Sequence, residues 1–246
     1  MGAAFPRLAA GSLRQVVPAL SVVLPVLNEA PGIVAALQAL APLRAGGAEV
    51  VVVDGGSADR SAELAGPLAD QVLAAPRGRA SQMNAGAAAA RGDILLFLHA
   101  DTCLPEGAAG LVAQAMAGGH RWGRFDVRIE GKSVWLPLVA ALMNLRSRLT
   151  GIATGDQAVF VAREAFVAVG GFPDIPLMED IELSRRLRRI GRPACLAARV
   201  TTSGRRWETH GVWRTILRMW WLRLRYFLGA DPWRLAADYG YAPRES

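Results

Sequence analysis

The sequence predicts an α/β fold built on a mainly parallel sheet, and three observations predict it. Short, almost wholly apolar runs at 21–26, 50–53 and 94–98 have the length of buried strands rather than helices. Segments of helical composition separate them, the spacing expected of βαβ units. Each run ends in polar residues with chemistry of their own, and right-handed crossovers carry those ends to one edge of the sheet.

The elements follow in order. After an N-terminal arm (1–19), the strand at 21–26 leads into Asn28-Glu29-Ala30-Pro31, where Pro31 suits the first turn of a helix running to about Leu40. The strand at 50–53 ends in Asp54-Gly55-Gly56-Ser57-Ala58-Asp59; the glycines permit a tight bend, and Ser57 can cap a helix at 58–65. A third strand at 71–75 leads through Pro76-Arg77-Gly78 into an Ala-rich helix ending near Arg91, then into the strand that closes with His99-Ala100-Asp101-Thr102. Beyond Pro105 the alternation stops. A helix to Ala117, a half-exposed strand at 121–130, an apolar helical segment at 133–148, a polar loop at 151–157, a strand at 158–162 and a helix from Glu179 to about Ile190 are expected there. No internal repeat and no separating linker appear.

Of the 28 basic side chains only Lys132 is a lysine, so the net charge of +7 rests on guanidinium, which suits phosphate-bearing partners without choosing among them. Cys103 and Cys195 belong to no disulfide or zinc pattern. Residues 1–20 lack the apolar core of a signal peptide, and no apolar run is long enough to span a bilayer. A cytoplasmic location follows, with peripheral attachment to the inner membrane face left open. The C-terminal segment (204–246) keeps it open: Trp213, Leu217, Trp220, Leu224, Phe227 and Leu228 form one apolar helical stripe flanked by Arg214, Arg218 and Arg225. Such a helix either packs on the domain or lies in a lipid interface with Trp221 and the arginines at headgroup level.

The predicted edge gathers Asn28, Glu29, Asp54, Asp59, His99 and Asp101. Asp101, at the carboxyl end of a buried strand, can ligate Mg²⁺ or Mn²⁺ or can simply form a turn. Neither a Gly-x-Gly-x-x-Gly fingerprint nor a P-loop is present, so a nucleotide would be held another way.

Taken together, Pro25-Val26-Leu27-Asn28-Glu29, Val53-Asp54-Gly55-Gly56-Ser57-Ala58-Asp59, His99-Ala100-Asp101 and Glu179-Asp180 resemble the family 2 glycosyltransferases of the GT-A fold, over roughly residues 20–200. The resemblance implies a GT-A domain at 20–203 and inverting transfer of a sugar from a nucleotide-diphosphate donor to a hydroxyl acceptor; with the C-terminal apolar stripe, the expected acceptor is lipid-linked or otherwise hydrophobic. By position, Pro25, Asn28 and Glu29 would line the nucleotide and Asp54 its base or ribose, with Arg79 and Asn84 near the donor. Asp101 would bind Mg²⁺ or Mn²⁺ on the diphosphate. Asp180 would be the base, and Asp156, Gln157 and Glu179 would lie on the acceptor side. The chemistry accounts for these parts: a cation neutralises the leaving diphosphate, and a carboxylate takes the proton of a poorly nucleophilic hydroxyl.

Two departures stand out. His99 replaces the first acid of the Asp-x-Asp motif, so it is a candidate for ribose contact or a softer cation. The Gln-x-x-Arg-Trp motif of processive members is reduced to Arg205-Arg206-Trp207, which favours a single-transfer enzyme. Two other classes remain weaker. A nucleotidyltransferase would want a basic, Gly-rich loop where Asn28-Glu29 stands, and a nucleic-acid binder would interleave its aromatics with exposed arginines rather than gather them in one stripe.

Overall fold

The computed structural model describes residues 19–241, so most of the N-terminal arm and residues 242–246 lie outside the described residues. In chain order the elements are β1 (Leu20–Val26), α1 (Ala30–Ala39), α2 (Ala41–Ala45), β2 (Glu49–Asp54), α3 (Ser61–Ala65), β3 (Gln71–Ala74), α4 (Arg79–Ala89), β4 (Ile94–Phe97), β5 (Thr102–Cys103) and α5 (Ala108–Ala117). There follow β6 (Trp122–Glu130), α6 (Leu136–Thr150), a 3₁₀ turn (Gly155–Gln157), β7 (Phe160–Ala162), α7 (Arg163–Ala168), α8 (Glu179–Leu187), β8 (Ala194–Ser203), α9 (Arg205–His210), α10 (Val212–Phe227) and α11 (Pro232–Asp238).

One eight-stranded sheet runs in the order β3-β2-β1-β4-β7-β6-β8-β5. The first four strands of that order are parallel, as the βαβ spacing requires, and β6 is parallel to β8. The pairs β4–β7, β6–β7 and β5–β8 are antiparallel. Val26 lies opposite Asp54 in the register, which brings the loops after β1 and β2 side by side.

Helices cover both faces. Val22, Leu24 and Val50 pack with Ile33 and Leu37 of α1, Val112 of α5 and Leu136 of α6. Val23, Val51 and Val53 meet Ala80, Met83 and Ala87 of α4, Phe166 of α7, and Leu183 and Leu187 of α8. Each large aliphatic side chain so buried contributes roughly 1.5–3 kcal/mol. Close approach of α4 depends on Gly86, where a Cβ would lie 2.4 Å from Val23 Cγ1.

Two departures from the sequence expectation share a cause. β6 is buried for most of its length instead of half exposed, because it is an interior strand between β7 and β8 with α6 packed on it. Its charges are neutralised inside: Arg124, with 0% exposure, pairs with Asp126, which also takes Arg148 Nη2 at 2.7 Å. β8 carries Arg199, Thr201 and Thr202, and its polarity hides a strand that pairs on both sides. In both places tertiary partners satisfy groups that local sequence assigns to solvent.

At the C-terminus, Leu222 of α10 and Leu235 of α11 form a third cluster with Ile152, Leu177, Met178 and Ile181. α10 is thus anchored to the approach to α8, but not through the predicted stripe. Trp213, Leu217, Trp220, Leu224, Phe227 and Leu228 all point outward, Trp220 with 71% of its surface exposed. Along α6, Leu138, Leu142, Leu145 and Leu149 are exposed as well, and Trp135, just before α6, meets Trp213 edge to face at 5.2 Å. Among the described residues no helix is long and apolar enough to cross a membrane.

Candidate active site

The loops that follow β1 and β2 are tied to one another by side chains. Asn28, in the left-handed region at φ 55°, accepts from Ala58 N at 2.8 Å through Oδ1, while its own N–H donates to Ser57 Oγ at 2.9 Å. Asn tolerates that conformation better than most residues. Asp54 is buried and accepts from Gly56 N and Ser57 N, each at 3.0 Å. Asp59 reaches Ala30 N at 3.1 Å and Ser61 N at 3.0 Å. Asp54 and Asp59 therefore shape the rim with their own carboxylates. Pro25 sits half-buried on β1 beneath it. Gln82 of α4 reaches under the rim, its amide donating to Val26 O and Val53 O at 2.8 Å each.

Just beyond β4 come His99 and the exposed Asp101. Glu29 lies close enough to feel both: burial pushes its carboxyl up, Asp101 adds to that, and Arg205 and His99 oppose it. His99 Nδ1 is 3.6 Å from Asp156 Oδ1 across the 3₁₀ turn. The imidazole fits there because Gly155 has no side chain; a Cβ at that position would lie 2.5 Å from the ring. Burial alone would raise Asp156, yet His99, Arg206 and Arg79 outweigh it and hold the carboxyl below the usual range.

The opposite wall is the start of α8. Met178 enters it at φ 71°, a strained left-handed conformation for a non-glycine residue. Asp180 Oδ2 accepts from Gly155 N at 3.0 Å and Oδ1 from Ile181 N at 2.7 Å, which fixes the carboxylate against the 3₁₀ turn. Next to it Glu179, 3% exposed, pairs with Arg79 at 2.9 Å. Burial raises Glu179 and the Asp180 charge adds to it, while Arg79 pulls the other way. Phe97, His99, Gly155, Phe172, Glu179 and Asp180 line a narrow pocket at this point.

The structure brings together Glu29, His99, Asp101, Asp156, Glu179, Asp180 and Arg79, drawn from five segments. It uses two expected site residues differently. Asn84 devotes its amide to Phe172, donating to the carbonyl at 2.8 Å and accepting from the N–H at 3.0 Å, so it pins the loop before α8. Gln157 is fully buried, and its Oε1 accepts from Thr154 N at 3.2 Å within the turn that carries Asp156.

Arginines that the sequence pattern left aside surround the acidic groups. Arg205 and Arg206, the remnant dipeptide, begin α9 and act electrostatically on Glu29 and Asp156 respectively. Arg206 and Arg218 stack over Tyr239 at 5.4 and 5.1 Å, and a cavity of about 320 Å³ opens among Arg206, His210, Arg214, Arg218 and Tyr241. Arg146 of α6 and Arg223 of α10 lie within the field of Asp180 and Asp156, and burial pushes Arg146 down to about 10. A count of arginines signals them; their placement needs the fold.

Residues 21–162, more than half of the sequence, match the family described as Glycosyl transferase family 2. The chain belongs to glycosyl transferase family 2. Comparison with curated proteins gives no match. Solved structures share the fold of this family 2 chain: the mannosyltransferase PcManGT from Pyrobaculum calidifontis, in complex with GDP-Man and Mn²⁺, has a TM-score of 0.58 at 24% identity, over 76% of this chain and 57% of that one. S. aureus TarS 1-349 has a TM-score of 0.60 at 18% identity, over 76% and 60%. Glucosyl-3-phosphoglycerate synthase from Mycobacterium tuberculosis, with Mn²⁺, UDP and glucosyl-3-phosphoglycerate, has a TM-score of 0.54 at 23% identity, over 75% and 71%. The chain thus spans less than two thirds of the length of the first two. The mixed α/β sheet with helices on both faces is the GT-A architecture of these neighbours.

Proposed function

We propose that this family 2 chain is an inverting, metal-dependent, single-transfer glycosyltransferase moving a sugar from a nucleotide-diphosphate donor to the hydroxyl of a lipid-linked or hydrophobic acceptor at a membrane face. The observation that carries the reading is Asp180: a carboxylate anchored by Gly155 N–H at 3.0 Å, lining a pocket whose other wall is His99, two residues before the exposed Asp101. A base and a candidate metal carboxylate from distant segments thus share one edge of the sheet.

Asp101 suits a cation that keeps most of its ligands on substrate. Among the described residues no group of three or more His, Cys, Asp or Glu forms a protein cage, and the carboxylate is exposed beside Glu29. Mg²⁺ and Mn²⁺ take one or two carboxylates and fill the remaining positions with phosphate oxygens and water. When bound, the ion would neutralise charge on the departing diphosphate. The chain's residues do the rest. Asp180 accepts the acceptor's proton as its oxygen attacks the anomeric carbon from the face opposite the diphosphate; the old C–O bond breaks and its electron pair leaves on that diphosphate. His99, directed to Asp156, orders the 3₁₀ turn that holds Asp180. This gives His99 a positioning role in place of cation binding.

The outward faces of α6 and α10 support the membrane assignment. Leu142, Leu149, Leu217 and Trp220 present a broad apolar surface, with Lys132, Arg214 and Arg225 on the same elements or beside them. Apolar contact plus basic flanks is the composition of an interfacial helix pair.

The deciding experiment is Asp180→Asn, which keeps an acceptor oxygen for Gly155 N–H. Turnover is expected to fall at least about a hundredfold, the usual range for loss of a general base, with metal-dependent nucleotide binding unchanged. Near-normal transfer by the variant would refute the base assignment.

A further inference from the structure

Other arginines in the interior each reach a carboxylate or a row of carbonyls, even where one nitrogen goes unmatched, as Nε does in Arg79 and Arg124. Arg163 donates to Gly92 O, Ala87 O and Ala90 O at 2.7–2.8 Å, and Arg124 pairs with Asp126. Arg146 and Arg223 break that rule. Arg146 Nε and Nη2 and Arg223 Nε are buried from solvent with no hydrogen-bond partner. The two guanidinium groups also repel one another, since Arg223 acts on Arg146 as a like charge. Both side chains are half-buried as a whole, but guanidinium nitrogens held out of water without acceptors and against mutual repulsion are unfavourable unless something else supplies the acceptors.

The pair has a defined place. Arg146 comes from α6 and Arg223 from α10, the two helices with the outward apolar faces, and both arginines feel Asp180 and Asp156. Helices whose outer faces are apolar therefore carry, on their inner side, two arginines within the field of the carboxylate assigned as base. Two planar forks of N–H donors match a group with several anionic oxygens, and phosphate is that group.

We infer that Arg146 and Arg223 hold a phosphate group of the acceptor, so that the acceptor class is a phosphate ester presented to Asp180. The inference rests on the reading of Asp180 as the base on the acceptor side. The phosphate can belong to a lipid headgroup, whose chain would leave along the apolar faces of α6 and α10, or to a soluble phosphorylated molecule.

Calorimetric titration of the full chain separates these sources. Octyl phosphate, octanol and inorganic phosphate are the probes, with UDP and GDP plus Mn²⁺ as donor-side controls. Octyl phosphate is expected to bind and octanol not. Arg146→Gln and Arg223→Gln should each weaken octyl phosphate by about tenfold or more, since each removes charge-assisted hydrogen bonds, while nucleotide affinity stays within about twofold. Arg146→Lys keeps the charge without the fork and should fall between. Tighter binding of octyl phosphate than of inorganic phosphate supports the lipid source; equal binding supports the soluble one. Unchanged octyl phosphate affinity in both glutamine variants overturns the inference. So does a parallel loss of nucleotide affinity, which would move the pair to the donor. A wild-type chain that binds nucleotide with Mn²⁺ but no phosphate probe overturns this inference alone and leaves the transferase reading intact.

Discussion

Replacing Arg146 by methionine sets stability against binding, and the structure gives the sign of each. Burial pushes the guanidinium well below its ordinary value, to about 10, so the folded chain disfavours its charged form. At ~1.36 kcal/mol per unit, a depression of that size corresponds to roughly 3 kcal/mol of unfavourable burial at neutral pH. The linkage sign agrees: between the folded and unfolded values the unfolded chain binds more protons, so the penalty is fully present below pH 10 and relieved only above it. Methionine keeps an unbranched apolar stem and removes both the charge and the partnerless nitrogens. Ligand-free Arg146→Met should therefore be more stable than wild type by about 1–3 kcal/mol, which for a chain of this size raises Tm by roughly 2–10 °C. In the same variant octyl phosphate should no longer raise Tm. Differential scanning calorimetry with and without the probe measures both effects. A variant that melts at or below the wild-type temperature without ligand would show that the guanidinium is already satisfied, and the reasoning behind the phosphate site would fail with it.

Other consequences are equally open to measurement. Asp101→Ala should abolish the Mn²⁺-dependent part of nucleotide affinity; titrations with and without the ion that show no difference from wild type would exclude Asp101 as the ligand. Gly155→Ala drives a methyl group to 2.5 Å from the His99 ring and disturbs the turn holding Asp180, so turnover should drop by about ten- to a hundredfold with the fold retained by circular dichroism. Gly86→Ala meets Val23 Cγ1 at 2.4 Å between α4 and the sheet and should cost about 1–3 kcal/mol in urea unfolding. Asp156 has a folded pKa held below 3.8, so its contribution is present above that value and lost as pH falls through the folded one; the acid limb of stability should be shallower in Asp156→Asn. Leu217→Glu with Trp220→Glu should reduce sedimentation with anionic vesicles by about tenfold or more, since both exposed side chains lose apolar contact with lipid.

Much of the N-terminal half was legible without coordinates. β1, β2 and β4 are continuous apolar runs because both faces of a parallel sheet are covered, and the polar residues that end them project from its ligand-binding edge. Asp101 and His99 could be picked out as candidates for the same reason, and Asp180 as one through the resemblance of Glu179-Asp180 to a family motif. The contact of His99 with Asp156 was not legible: Asp156 is on a turn 57 positions away, and the ring fits there only because Gly155 is bare. Asn84 and Asp54 illustrate the converse. Their residue types suit ligand contact, but backbone groups engage them: the amides of Gly56 and Ser57 in its own loop for Asp54, and Phe172 of a loop distant in sequence for Asn84.

Sequence alone determined the βαβ frame, the edge on which the acidic residues gather and the family to which they belong, since these follow from local periodicity and short motifs. Tertiary structure decided which way the C-terminal helix faces, that β6 hides a paired arginine, and that Arg146 and Arg223 come within the field of Asp180. The physical reason is one of range. Periodicity and capping act within a few residues, whereas desolvation and charge pairing depend on which distant segments converge, and no local pattern records that convergence.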